Sequence, residues 1–182
     1  MDKSNGNNPF MPASKYKWLT KWYDSVLKYL MPEVQFRLFL IYQAGIKKDH
    51  RVLDFGIGTA TLSILAKSKY SDISISGVDT DQEILDMARK KVEQVKKEIY
   101  IDKYDGVVLP YPDETFDRVI SSLVFHHLDN EQKTNSFKEI RRVLKRGGEL
   151  HIADWGEASN IVMRCAFYFI QIIDGFKTTR DN

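Results

Sequence analysis

Apolar residues recur along the chain in two rhythms. Trp18, Leu19, Trp22, Tyr23, Val26, Leu27 and Leu30 fall at helical spacing, which predicts an amphipathic helix that Ser14 can cap and that the Met31-Pro32 step interrupts. A second helix is predicted over 32–44, with Pro32 tolerated in its first turn and Gly45 as its stop. From residue 50 onward the rhythm alternates. Short apolar runs predict strands over 51–55, 73–78, 98–102, 116–122 and 149–154, and amphipathic stretches predict helices over 60–68, 82–96, 130–145 and 158–174. Thr80-Asp81-Gln82-Glu83 has the spacing of a capping box built on Thr80 and Glu83, and Asp129 can cap the following helix in the same way. Strict alternation of strand and helix builds a parallel sheet with helices on both faces, whose ligands lie beyond the C-terminal ends of the strands.

Composition narrows the class. The 182 residues are 43% hydrophobic and 29% charged, which suits one globular domain with a substantial core. A formal net charge of +2 is too small to point to nucleic acid. Cys165 is the single cysteine, which excludes an internal disulfide, and His50, His126, His127 and His151 lack metal-ligand spacing, so no metal site is expected. Met1–Pro12 is polar and lacks the basic-then-apolar order of a secretion signal. The apolar stretch from Ile161 to Ile173 contains Arg164 and Gln171 and falls short of the roughly 20 apolar residues a membrane span needs. A cytoplasmic protein without stable membrane insertion is the expectation.

The densest chemistry lies at Val52-Leu53-Asp54-Phe55-Gly56-Ile57-Gly58-Thr59-Ala60, an apolar strand running into an acidic residue and two close glycines ahead of a helix. Glycine there permits dihedrals that a side chain forbids and lets a ligand approach the main chain, while the following helix offers free N–H groups. A dinucleotide fingerprint wants a third glycine, where Thr61 stands.

The pattern Asp-x-Gly-x-Gly-Thr-Ala resembles the first motif of class I S-adenosylmethionine-dependent methyltransferases, and the resemblance runs in order as far as Asp154. Gly77-Val78-Asp79 closes a second apolar strand, and Tyr104-Asp105-Gly106-Val107-Val108-Leu109-Pro110 looks like the family's adenine loop. Residues 116–128 resemble its fourth strand and the turn after it, and 142–150 match its helix, glycine turn and fifth strand. Within the family the chain is most similar to the group that includes the ubiquinone and menaquinone C-methyltransferases. The resemblance implies a Rossmann-like α/β sheet of order 3-2-1-4-5 in three layers. It implies S-adenosyl-L-methionine as cofactor, a small organic methyl acceptor, and O- or C-methylation. It places the cofactor's carboxylate and ammonium near Asp54, Gly56, Gly58 and Thr59, its ribose on Asp79, its adenine on Asp105 and Gly106, and its methionine part near Ser122. His126 and His127 are candidate general bases, of which at most one is expected to face the acceptor, and Asp154 can either border the acceptor or cap the last helix.

The expected organisation is a flexible tail over 1–13 and one domain over 14–182. The latter comprises an N-terminal helical cap (14–45), a cofactor-binding core (50–156) and a C-terminal helix (157–175). In the cap, Tyr16, Trp18, Trp22 and Tyr23 form an aromatic cluster from which Tyr23 could cover the cofactor. The family's sheet normally adds a C-terminal β-hairpin, for which no strand pattern follows Gly175, so an open fifth strand, an uncovered last helix and self-association through them are expected. Two other functions compete. A non-catalytic cofactor-binding or partner module would suit the missing hairpin, and a nicotinamide dehydrogenase would share the glycine turn but not the Asp105 loop.

Overall fold

The computed structural model describes residues 33–154, which from Gln35 on belong to one compact unit. The predicted helices over 14–30 and 158–174, the tail, the aromatic cluster with Tyr23, and the question of the hairpin lie outside the described residues.

Five strands form one parallel sheet: β1 (Arg51–Phe55), β2 (Ser74–Asp79), β3 (Tyr100–Lys103), β4 (Phe116–Ser122) and β5 (Leu144–Ala153). Their order is β3-β2-β1-β4-β5, with every pairing parallel, as the alternation and the resemblance implied. Among the described residues the helices are α1 (Glu33–Gln43), α2 (Thr61–Lys69), α3 (Gln82–Gln94) and α4 (Asn130–Val143), with a 3₁₀ turn over Phe125–His127. β1 is central and hydrophobic on both sides, as a covered parallel strand must be. Val52 packs in one cluster with Ile75 and Ile120 of the sheet, Leu40 and Ile41 of α1 with Ala44 just after it, and Leu62 and Ala66 of α2. Leu53 and Phe55 face the other way into a cluster with Val119, Ile140 and Val143, where α4 lies. α3 seals the β2–β3 side through Leu85, Ala88 and Val92. Each such side chain contributes about 1.5–3 kcal/mol when fully buried, so the apolar residues on both faces of β1 help hold helices on both sides of the sheet.

Two details depart from the sequence expectation. Asp81, not Thr80, caps α3: its carboxylate accepts from the Glu83 and Ile84 backbone N–H groups. Aspartate and threonine are both good N-caps, and the one whose backbone leaves the extended strand last takes the position. The helix expected to run to residue 145 ends at Val143, and Leu144, already extended, pairs with Phe116. Regular pairing resumes at Arg118 with Glu149, so Lys145–Gly148 bulge out of the strand, with Gly147 at a left-handed φ of 77°. The cap on α4 is as expected. Asp129 accepts from the Gln132 N–H, and the Gln132 side chain accepts from the Asp129 N–H in return.

Candidate functional site

Parallel strands leave a crevice where neighbouring connections turn to opposite faces, and β1 and β4 make that change here. A cavity of about 450 Å³ lies there, lined by the β1–α2 turn, the end of β2, the start of the loop after β3, the end of β4 with its following turn, and α4. Its size falls within the range usual for small-molecule sites, roughly 300–1,000 Å³.

The β1–α2 turn is built by three left-handed residues, Gly56 (φ 73°), Gly58 (φ 53°) and Ala60 (φ 62°). Gly56 and Ile57 donate backbone N–H groups to the Val78 carbonyl, which pins the turn to β2. A methyl group at Gly56 would overlap the Val124 side chain, whereas at Gly58 it would meet only open space. The two glycines therefore serve different ends: the first lets the β4 turn pack down, and the second faces the cavity. Ala60, as N-cap of α2, supplies no side-chain acceptor, so the helix start keeps donors available to a ligand. Thr59 also lines the cavity, and its hydroxyl lies 3.4 Å from that of Thr61, which in turn accepts from Lys91.

Two carboxylates border this turn. Asp54 is 1% exposed and accepts a 2.6 Å hydrogen bond from the Ser63 hydroxyl. Burial pushes its carboxyl up to about 7, against the opposing pull of the Ser63 hydrogen bond and the Arg37 charge. Asp79, at the end of β2, accepts from the Gly58 N–H at 3.0 Å and the Asp81 N–H at 3.2 Å, one on each oxygen. It therefore braces the glycine turn while lining the cavity.

In the loop after β3, Tyr104 and Gly106 line the cavity, while Asp105 is exposed beside them. One Asp105 oxygen accepts from the Val107 and Val108 N–H groups, and these bonds hold its carboxyl below the usual range. At the end of β4 the Ser122 hydroxyl is buried, lines the cavity and has no hydrogen-bond partner. A buried hydroxyl without a partner costs about 1–3 kcal/mol, so its place on the cavity wall marks a position for a polar ligand atom.

Of the two adjacent histidines, His127 lines the cavity and His126 does not. His126 is held by Asp154, with 2.6 Å between Nδ1 and Oδ1. The other Asp154 oxygen accepts from the backbone N–H groups of Val124, Phe125 and His126. His127 lines the cavity and its ring lies 3.8 Å from that of His126, centroid to centroid. Asp154 thus caps the turn after β4 and orients the histidine pair, a role that a contact across 28 residues of sequence hides from local pattern. Reading by motif also missed Arg37, Gln132 and Ser136 as cavity residues. Only the helical spacing of Gln132 and Ser136, one turn apart, could have placed those two on a common face.

A family model described as a methyltransferase domain matches residues 52–148, more than half of the chain. A demethylmenaquinone methyltransferase of Lactobacillus johnsonii is 32% identical over 122 residues, covering 65% of this chain and 49% of that protein. One of Symbiobacterium thermophilum is 25% identical over 188 residues, covering 94% of this chain and 74% of the relative. An uncharacterized methyltransferase of Anoxybacillus flavithermus matches over 59% of this chain and 48% of its own length, so the chain spans about half the length of several curated relatives it matches. Among solved structures, a SAM-dependent methyltransferase from Aquifex aeolicus superposes with a TM-score of 0.61 at 23% identity, covering 75% of this chain and 76% of that one. The YcgJ protein of Bacillus subtilis gives 0.63 at 24%, covering 75% and 57%. These two show the fold.

The chain belongs to the methyltransferase-domain family, on the Rossmann-like fold of its S-adenosylmethionine-dependent members. The described residues fit that cofactor: a cavity of suitable size, an open cradle over Gly58, an uncapped helix start and an unpartnered hydroxyl at Ser122. The nicotinamide reading is set aside by this family membership.

Proposed function

We propose that the protein transfers a methyl group from S-adenosylmethionine to a small organic acceptor, on oxygen or carbon. The observation that carries this reading is the cavity itself, which is lined from the Gly58–Asp79 turn to His127 and so presents candidate cofactor-binding groups and a potential proton acceptor to one shared cleft. Relatives named demethylmenaquinone methyltransferase favour a quinone-type acceptor.

In this reading Asp79 takes the ribose hydroxyls, since each of its oxygens accepts one N–H and retains a further lone pair. Gly106 N–H and the second oxygen of Asp105 take the adenine edge. The Gly56 and Gly58 N–H groups are committed to the Val78 carbonyl and to Asp79, so the expected carboxylate site falls to the Thr59 N–H and the start of α2, beside the open space over Gly58, with Asp54 toward the cofactor's ammonium. Ser122 completes its hydrogen bonding on the methionine part. The bound cofactor supplies the methyl group on a sulfonium, ready for in-line displacement. The protein's contribution is therefore alignment and exclusion of water. Leu123, Val124 and Leu128 wall the acceptor side, and His127 takes the proton that an acceptor hydroxyl or carbon acid releases. Asp154 and His126 hold the turn that presents it.

Melting temperature with candidate ligands tests the reading most directly, because a ligand at about 100 times its dissociation constant adds roughly 2.7 kcal/mol to stability. S-adenosylhomocysteine is expected to raise the melting temperature and NAD to leave it unchanged. Transfer of labelled methyl to phenolic, enolic or quinol acceptors then separates an enzyme from a module that only binds the cofactor. Stabilisation by NAD alone would overturn the proposal.

A further inference from the structure

We propose that Glu139 and Arg142, on the last turns of α4, form a positioning unit that fixes the 104–113 loop and thereby sets selectivity for the base of the bound nucleoside. The inference rests on the cofactor reading above and assigns a role to two residues that touch no cavity volume themselves.

The pair grips the loop's backbone at both polar groups of one residue. Glu139 Oε2 accepts from the Leu109 N–H at 2.8 Å, and Arg142 Nη2 donates to the Leu109 carbonyl at 3.0 Å. Arg142 Nη1 donates to the Tyr111 carbonyl at 2.7 Å and to Asp113 Oδ1 at 2.9 Å. The two side chains lock each other, with Arg142 Nε to Glu139 Oε1 at 2.9 Å and Nη2 to Oε2 at 2.7 Å. An exposed pair three residues apart on a helix usually contributes only a few tenths of a kcal/mol and organises nothing beyond itself. Here four bonds leave the helix for the loop, and both side chains are largely buried, 16% exposed for Glu139 and 28% for Arg142. The planar guanidinium spans three acceptors on the loop at once, which an ammonium cannot reproduce.

The grip lies next to the residues that would read the base. Leu109 follows directly on the Asp105–Val108 turn, in which the Asp105 carboxylate takes the Val107 and Val108 N–H groups. The buried Leu109 side chain and the Tyr111 hydroxyl bonded to Asp102 anchor the loop to the sheet. With Leu109 held on both sides, Gly106 N–H and the outward oxygen of Asp105 keep fixed directions. α4 also lines the cavity through Gln132 and Ser136, so the helix that bounds the site holds the loop in register with it.

The test is equilibrium titration of the full chain and of Glu139→Gln and Arg142→Lys with S-adenosylhomocysteine and S-inosylhomocysteine, which differ at the exocyclic group of the base. The native protein is expected to prefer the adenine ligand. In both variants adenine affinity should fall about tenfold, the scale of one charge-assisted hydrogen bond, while inosine affinity changes less, so that the ratio of the two dissociation constants shrinks. A purely structural role lowers the melting temperature without moving that ratio. An unaltered ratio in a folded variant, or a native protein indifferent to the base, overturns the inference while leaving the cofactor reading intact. A native protein that binds neither ligand overturns both. Should Arg142→Lys fail to fold, the isosteric Glu139→Gln decides.

Discussion

Asp54 shows how a single buried carboxylate links folding to chemistry. Desolvation outweighs the Ser63 hydroxyl, the Arg37 charge and the Ser63 backbone N–H, the Asp79 charge adds to it, and the carboxyl is therefore raised from 3.8 to about 7. A folded-state value above the unfolded one means that the native protein binds the extra proton. The group's contribution is fully present below about pH 4 and is lost as pH rises through about 7, an effect of up to about 4 kcal/mol. Asp54→Asn should abolish this dependence. Urea unfolding at pH 5 and pH 8 checks it: relative to the native protein, the variant should gain stability at the higher pH. An equal gap at both values would show that the carboxylate is ionised in the folded state throughout. Asp117, Glu139 and Asp105 are lowered instead and pull in the opposite direction at acid pH, so the difference between the two proteins carries the information.

Elements built on contiguous patterns were legible in the sequence, whereas features made by distant partners were not. β1 and β4 coincide with their expected ranges because each is built on contiguous buried apolar residues, Val52-Leu53 and Val119-Ile120, that a sheet covered on both faces requires. The Asp129–Gln132 box was equally plain, both halves lying within one turn. α4 was overrun because residues 144–148 carry no helix breaker before Gly147, and only pairing with Phe116 shows where the strand starts. The motif reading grouped Gly56 and Gly58 as one ligand-approach device, yet the structure separates them. Gly56 combines a left-handed φ with contact against Val124, so Gly56→Ala should strain the backbone and displace the β4 turn, costing about 2–4 kcal/mol of stability. Gly58→Ala meets no neighbour and carries only the backbone penalty, about 1–2 kcal/mol. Chemical denaturation together with calorimetric titration of S-adenosylhomocysteine distinguishes them. Gly58→Ala should lose more in cofactor affinity than in folding stability, and Gly56→Ala the reverse; the opposite pattern would mean that the cradle is not at Gly58.

At the scale of the whole molecule, the groups proposed to bind the nucleoside stand at the end of β2 and in the loop after β3, and the proposed proton acceptor lies beyond β4, on opposite sides of the central strand. Binding and chemistry are therefore separable by mutation. His127→Ala leaves Gly58, Asp79 and the 104–113 loop untouched, so the affinity for S-adenosylhomocysteine should stay within twofold of native. Methyl transfer at saturating cofactor should fall by about 10²–10⁴, the usual contribution of a positioned general base. Asp154→Asn probes the same end through its support. An amide oxygen can still accept from the Val124–His126 N–H groups but loses the charge that holds His126, so turnover should fall less than in His127→Ala. Single-turnover rates with an acceptor found by labelled-methyl transfer, set beside calorimetric affinities, measure both quantities on the same preparations. A His127→Ala protein that methylates at the native rate would mean that the acceptor loses its proton to solvent, and that the histidine pair and Asp154 serve only to shape the turn after β4.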